Sequence, residues 1–343
     1  MCEGTSGSGE LKTVIVSVDK AGHVNQCLAV CEAAGWRADE IVRIPSPGRM
    51  TAAWDRFVLN LRKRAATRAA RPERREPGRL RIVASGRAAE DVVASYRTLY
   101  GDDLFALFSG RPQWLKPIFD VALAPRHGLE AGECVKTAVI PASKTVIFRS
   151  GPPTRRLGGR SEGSRAGLAA LIGGLNKAFV IDVDRIARQL DEMAARRDGE
   201  PLSLVFSRRT PQHVETRLRR IFDNRVARFV DRADRAGFEQ VVASAGEFVV
   251  TPDSITMVCE MCVTGRPVHV FDLEVFDRGA STYRFLEDLL ESGDVTLATG
   301  GTARSCEPGL FAVPPAALSL YEAWETGPIA SPPCAPRGTA LHS

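Results

Sequence analysis

The chain has 343 residues, 44% hydrophobic and 25% charged, with a net charge of +5 and eight cysteines. That is material for about two globular domains, and no apolar run approaches the roughly 18 residues needed to cross a bilayer, which excludes a transmembrane protein. Residues 1–10 are polar and Gly/Ser-rich, unlike a secretory signal, and the cysteines are too sparse for a disulfide scaffold, so a cytoplasmic protein is expected.

Residues 11–18 (LKTVIVSV) are short, β-branched and continuous, the pattern of a strand buried on both faces. Residues 24–34 read as a helix stopped at Gly35. Further strands are expected at 40–44, 80–84, 104–108, 121–124 and 145–148, with helices near 52–64 and 88–100. The stretch 62–81 is dense in arginine. It reads as a solvated linker, the alternative being contact with an anionic membrane surface; it lacks the interleaved aromatics of nucleic-acid binding. Residues 151–166 (GPPTRRLGGRSEGSRA) break the pattern and read as the junction of two domains, 11–150 and 167–305. Beyond it, strands are expected at 168–172, 202–206, 248–250 and 268–271, and helices at 184–196, 211–223, 235–244 and 254–264. Residues 306–343 read as a Pro-rich tail with one helix at 316–326. Alternation of this kind implies two α/β, Rossmann-like domains, each a parallel sheet covered by helices.

Three strand ends in the second half carry the chemistry. Strand 168–172 runs into Gly173-Gly174-Leu175-Asn176-Lys177, where paired glycines let backbone N–H groups approach a ligand. Strand 202–206 runs into Ser207-Arg208-Arg209-Thr210-Pro211, two arginines beside a helix start, with Thr210 read as its N-cap. Strand 248–250 leads to Asp253-Ser254, another helix start, with Glu260 two turns on. In an open parallel sheet all three ends lie on one edge, where ligands bind. Backbone donors, cations and hydroxyls together describe a phosphate or diphosphate site. The first half supplies an opposite wall. Asp19–Gln26 (DKAGHVNQ) is a strand, a Gly-containing loop and a helix start, holding Gly22, His23 and Asn25. His23 is the general-base candidate. Arg87, Arg126 and His127 follow other strand ends and either bind an acidic acceptor or line a wet crevice.

Several other patterns carry nothing. Cys259-x-x-Cys262 has no second pair and reads as packed thiols. Asp182-Val183-Asp184 reads as a helix start with Asp184 as N-cap, and Gly159–Gly163 matches G-x-S-x-G only within the junction. No P-loop and no G-x-G-x-x-G follows a strand.

In order, DKAGHVNQ, SGR (85–87), PRH (125–127), IGGLNK (172–177), SRRTP (207–211) and TPDSITMVCEMCVTGRP (251–267) resemble the mitochondrial fission Elm-type family over about residues 11–285. That family is similar in turn to GT-B glycosyltransferases, two Rossmann-like domains facing across a cleft. The resemblance implies a sugar nucleotide held mainly by the C-terminal domain, with Gly173, Gly174, Arg208, Ser254 and Met257 around the diphosphate and Glu260 near the ribose. Asn176, Ser207 and Asp253 belong to the same group. His23 falls where inverting enzymes of this fold place a loop histidine, and Gly22, Asn25, Arg87, Arg126 and His127 fall on the acceptor side. It implies no tightly bound cofactor and no metal. The chain departs from the family at Gly128, Leu175 and Cys259. The function expected is a metal-independent glycosyltransferase acting on a nucleotide diphosphate sugar and an unknown small-molecule or lipid acceptor, without nucleic acid. The alternatives are a non-catalytic adaptor of the fission type and a sugar-nucleotide epimerase.

Overall fold

Continuous β-branched runs can be buried on both faces only inside a parallel sheet that helices cover from either side, and the chain builds two such sheets. The computed structural model describes residues 11–45, 64–73, 76–113, 118–125, 135–137, 141–148, 167–197, 199–307 and 313–327. The first sheet is formed by β1 (Lys12–Val18), β2 (Glu40–Ile44), β3 (Leu80–Ser85), β4 (Leu104–Ser109), β5 (Val121–Ala124) and β6 (Val135–Thr137), in the order β2-β1-β3-β4-β5-β6. The second contains β7 (Leu168–Ile172), β8 (Leu202–Phe206), β9 (Arg228–Val230), β10 (Glu247–Val250), β11 (Val268–Val270) and β12 (Thr296–Leu297), ordered β12-β11-β10-β7-β8-β9. Every pairing in both sheets is parallel. Two parallel sheets with helices, α/β in class, are what the sequence leads one to expect.

Each order reverses direction at one point. In the first sheet the chain leaves β1 toward β2 and returns to the other side at β3. In the second it moves from β7 out to β9, then crosses to β10. Helices after strands flanking such a point diverge to opposite faces and open a crevice at the strands' C-terminal ends. The helices concerned are α1 (Ala21–Ala33), after β1, and α2 (Arg87–Tyr100), after β3. In the second domain α4 (Val183–Ala195) follows β7, α5 (Gln212–Phe222) follows β8, α6 (Arg235–Ser244) follows β9 and α7 (Ile255–Cys262) follows β10. Another helix, α8 (Ser281–Ser292), lies between β11 and β12.

Several expectations are corrected. Residues 145–148 are not a strand but the short helix α3 (Lys144–Ile147). Ser143 caps it, and Ile147 is buried in the core of the second domain. The sequence reading passed over β6, β9, β12 and α8: the strands are two or three residues long, too short to show a period. Helix α1 begins at Ala21, so Gly22 and His23 are helical rather than in a loop; Lys20 is already extended and serves as the N-cap residue. Asp182, not Asp184, caps α4, because its extended backbone aims the carboxylate at the amides of Asp184 and Arg185. Similarly Thr210 does not cap α5, whose N-cap position is Pro211. The helix expected near 52–64 and the junction 151–166 lie outside the described residues, apart from position 64.

The last helix, α9 (Pro315–Thr326), returns to the first domain. Its residues Ala317 and Tyr321, with Val313, join Ile15, Trp36 and Phe105 in one core cluster. Tyr321 lies 4.5 Å from the Trp36 ring and 5.3 Å from that of Phe105. Two members of the Arg-rich stretch secure it: Arg81 donates to the Tyr321 hydroxyl at 2.7 Å, and the Arg79 guanidinium lies 4.1 Å over the Trp324 ring. Those two arginines therefore build the fold. Among the described residues no helix is long and apolar enough to cross a membrane. Replacing Tyr321 by Ala should remove a buried aromatic and leave a cavity, costing roughly 3 kcal/mol. A urea titration checks this as a lowered midpoint at unchanged slope.

Candidate functional site

The C-terminal ends of β7, β8 and β10 meet around one carboxylate. Asp253 has a fully buried side chain. Its Oδ1 accepts from the Thr251 hydroxyl at 2.6 Å, and its Oδ2 accepts from the Gly174 amide at 2.9 Å and from Arg209 Nη2 at 3.0 Å. Thr251 Oγ1 in turn accepts from the Gly173 amide at 2.7 Å. Burial pushes the Asp253 carboxyl up from its ordinary value, while the hydrogen bonds from Thr251 and Gly174 and the charge of Arg209 pull it back. The need for two glycines follows from contact. A Cβ on Gly173 would sit 1.9 Å from Asp253 Oδ1, and one on Gly174 would sit 2.3 Å from the Arg209 carbonyl oxygen. Close approach requires them, but to the protein's own atoms.

That assigns several of the expected ligand groups differently. The Gly173 and Gly174 amides are satisfied by Thr251 and Asp253. Asn176 closes its own loop, with Oδ1 accepting from the Ala178 and Phe179 amides and Nδ2 donating to the Asp253 carbonyl. The Ser207 hydroxyl accepts from the Arg209 amide, and Thr210 donates to the Ile172 carbonyl at 2.6 Å. Arg209 pairs with Asp253, whereas its neighbour Arg208 is exposed at the same junction. Ser254 caps α7 by accepting from the Met257 amide, and Met257 packs partly on the core.

The wall opposite is α1, and it meets α7 directly. Gln26 Nε2 donates to Thr256 Oγ1 at 3.2 Å, and Asn25 Nδ2 donates to Glu260 Oε1 at 2.8 Å. A Cβ on Gly22 would stand 2.9 Å from Thr256 Oγ1. Gly22 and Thr256 each belong to the first turn of their helix. Two helix N-termini, each a centre of partial positive charge, are thus in contact, and neither has an acidic residue in its first turn. Glu260, expected near a ribose, reaches the other domain, and Asn25, expected on the acceptor side, donates to it.

His23 spans the reversal point of the first sheet. Its Nδ1 lies 2.8 Å from Ser85 Oγ at the end of β3, and Ser85 donates to the Ser109 carbonyl at the end of β4, 2.9 Å away. The ring is half-buried. Burial, with the charge of Lys20 added, pushes the imidazole down to about 4, so it is neutral at pH 7. Arg87 is the exposed first residue of α2. Arg126 and His127 lie outside the described residues. Thr251, Arg209, Ser85, Gln26 and Thr256 received no individual role from the sequence, although all but Arg209 are neutral residues inside or next to the quoted motifs and nothing in their type marks them.

The family of Mitochondrial fission ELM1 matches residues 21–324. The chain belongs to that family. The matched span of this ELM1-family chain starts at the first residue of α1 and ends inside α9, so it takes in the whole second sheet, every strand of the first except β1, and most of the helix that returns to the first. No curated protein matches it in sequence. Among solved structures it is similar to MnaA from S. aureus with UDP (10% identity, 91% of this chain and 95% of that one, TM-score 0.48). It is also similar to the UDP-GlcNAc 2-epimerase from Neisseria meningitidis bound to UDP-GlcNAc (9%, 92% and 100%, TM-score 0.49). A third is the E. coli heptosyltransferase WaaC with ADP (13%, 76% and 87%, TM-score 0.42). Cys259 and Cys262 are buried thiols on α7. Among the described residues no group of three or more His, Cys, Asp or Glu side chains is placed to hold a metal ion.

Two outcomes follow for stability in this ELM1-family protein. Asp253→Ala strands buried donors and should cost roughly 3 kcal/mol, more than Arg209→Ala, whose side chain is half exposed; paired chemical denaturation curves check the order. His23 titrates lower in the folded chain, about 4, than its ordinary 6.5. Its contribution is complete above pH 6.5 and is lost as pH falls toward 4, because the unfolded state binds the proton more readily. His23→Asn should therefore flatten the fall in melting temperature between pH 7 and 5, by an amount equivalent to roughly 1–2 kcal/mol after allowing for partial exposure.

Proposed function

We propose that the chain is a glycosyltransferase that binds a nucleotide diphosphate sugar between its domains and needs no metal. The observation that carries this reading is the contact of the α1 and α7 N-termini without a first-turn acid on either. Helix geometry leaves the first amides of each without an intrahelical acceptor, and two positive dipole ends in contact repel until an anion lies between them or beside them. The internal hydrogen bonds of Gly173, Gly174, Asn176 and Asp253 support the reading indirectly. These groups shape the floor, and the donors left for a diphosphate are the α7 first-turn amides at Ile255 and Thr256, with Arg208 at the adjacent strand end.

In this reading His23 is the general base. Its Nε2 takes the proton of an acceptor hydroxyl or amine as that atom forms a bond to the sugar's anomeric carbon, and the bond from that carbon to the diphosphate breaks. The departing diphosphate takes both electrons, and the α7 terminus and Arg208 stabilise its charge. Glu260 stays near the ribose while it holds Asn25, since a carboxylate has acceptor capacity for both.

Uridine, guanosine, adenosine and thymidine diphosphates at millimolar concentration provide the test. One of them should raise the melting temperature by several degrees, since a hundredfold excess over Kd stabilises by about 2.7 kcal/mol. Arg208→Ala should reduce the shift, and His23→Ala should preserve it while abolishing transfer from the matching sugar nucleotide. If none of the diphosphates moves the transition, the proposal fails. Conversion of the donor sugar in the absence of any acceptor would replace transfer by epimerisation.

A further inference from the structure

Ser85 closes β3 at the reversal point of the first sheet, and its side chain is fully buried. A serine hydroxyl carries one proton and two lone pairs. Three polar atoms surround this one: the Ser109 carbonyl oxygen at 2.9 Å, His23 Nδ1 at 2.8 Å and, farther off, Gln26 Oε1 at 3.5 Å. The Ser109 carbonyl can only accept, so the hydroxyl proton is directed there. At the short contact with His23 the serine then has only a lone pair to offer, and the imidazole must supply the proton from Nδ1. A neutral ring has a single N–H, which leaves Nε2 unprotonated.

We infer that Ser85, fixed by the Ser109 carbonyl, is a positioning residue that holds His23 in the Nδ1–H tautomer and presents Nε2 as the basic atom. A histidine side chain free in water prefers the other tautomer, so the hydrogen bond at Nδ1 decides the outcome. Gln26, one helical turn further along α1, donates through Nε2 to Thr256 of the other domain, so its Oε1, which can only accept, is the group that faces Ser85. The inference concerns the state of the ring; only the identity of the proton that Nε2 accepts rests on the proposed function.

The test uses the full chain labelled with [15N]histidine, observed in long-range 1H–15N correlation spectra at pH 7. The chain has five histidines, and the His23 signals are identified by their loss in His23→Ala. Wild type should show a pyrrole-like Nδ1 and a pyridine-like Nε2. Ser85→Ala should move His23 toward the opposite pattern, and Ser85→Thr, which keeps the hydroxyl, should restore the original one. With a matching sugar nucleotide, Ser85→Ala should lower kcat about tenfold or more while nucleoside diphosphate still raises the melting temperature. A pyridine-like Nδ1 in wild type overturns the inference, as does an unchanged tautomer in Ser85→Ala. Should that variant not fold, the wild-type spectrum alone decides. Absence of diphosphate binding together with a pyrrole-like Nδ1 would sink the glycosyltransferase reading and leave the tautomer assignment standing.

Discussion

The contact between the first turns of α1 and α7 is the constraint on which the rest of the site depends. Each parallel sheet directs the helices that follow its strands so that their N-termini emerge at one edge, and the two domains are docked edge to edge. Gly22 is the residue that permits the approach, since any side chain there would press on the Thr256 hydroxyl. Gln26 and Asn25 then tie α1 to Thr256 and Glu260. These are neutral or singly charged hydrogen bonds of modest strength, holding together two ends whose dipoles oppose one another. A junction of that kind stays closed because the sheets behind it are rigid and because the segment around α3 adds a second tie, in which Ser143 donates to Glu32 on α1 while Ile147 is buried in the other domain's core.

Polar residues around the crevice divide into those that build it and those that remain for a guest, and residue type does not separate them. Asp253 is the clearest builder: its carboxylate accepts from three donors drawn from the ends of all three strands and leaves the solvent entirely. Arg209 offsets its charge from the exposed side. Neutralising the one buried acid next to the α7 terminus keeps that terminus electropositive. Had Asp253 been free, it would have occupied electrostatically the place that the proposed diphosphate takes.

The alternation of strands and helices was legible in the sequence because buried parallel strands carry apolar runs, at 14–16 in β1, 104–108 in β4 and throughout β7. Edge strands were not, since β9 and β12 contribute three and two residues and take their conformation from the neighbour they pair with. The start of α1 was misread because Gly22 looks like a loop residue, when it is glycine for the sake of a contact in a different domain. The positions of those candidate site residues that the structure describes followed from strand ends and topology. What each does there did not, because the choice between Arg208 and Arg209 as the partner of Asp253 depends on a backbone turn, and the meeting of Asn25 with Glu260 depends on domain docking across 235 positions of sequence. The motif that joins Ser85, Gly86 and Arg87 was visible as a pattern, yet the role of its serine appears only once β4 brings the Ser109 carbonyl alongside.

An imidazole with a value near 4 is at first sight a poor base at pH 7, since proton transfer is most effective when the base is matched to the working pH. The causes of the depression reduce the difficulty in part within the proposed function. Burial removes water from the ring, Lys20 adds a positive charge, and His23 stands in the first turn of a helix whose dipole also disfavours the cation. All but the burial are positive fields, and a diphosphate bound at the same helix ends carries the opposite sign. Its arrival offsets these smaller contributions, while burial, the larger cause, stays. In the proposed function the imidazolium is therefore somewhat easier to form in the state where a donor is present. In that reading the electropositive junction that binds the anion also adjusts the basicity of His23, and Ser85 determines which of its two nitrogens acts.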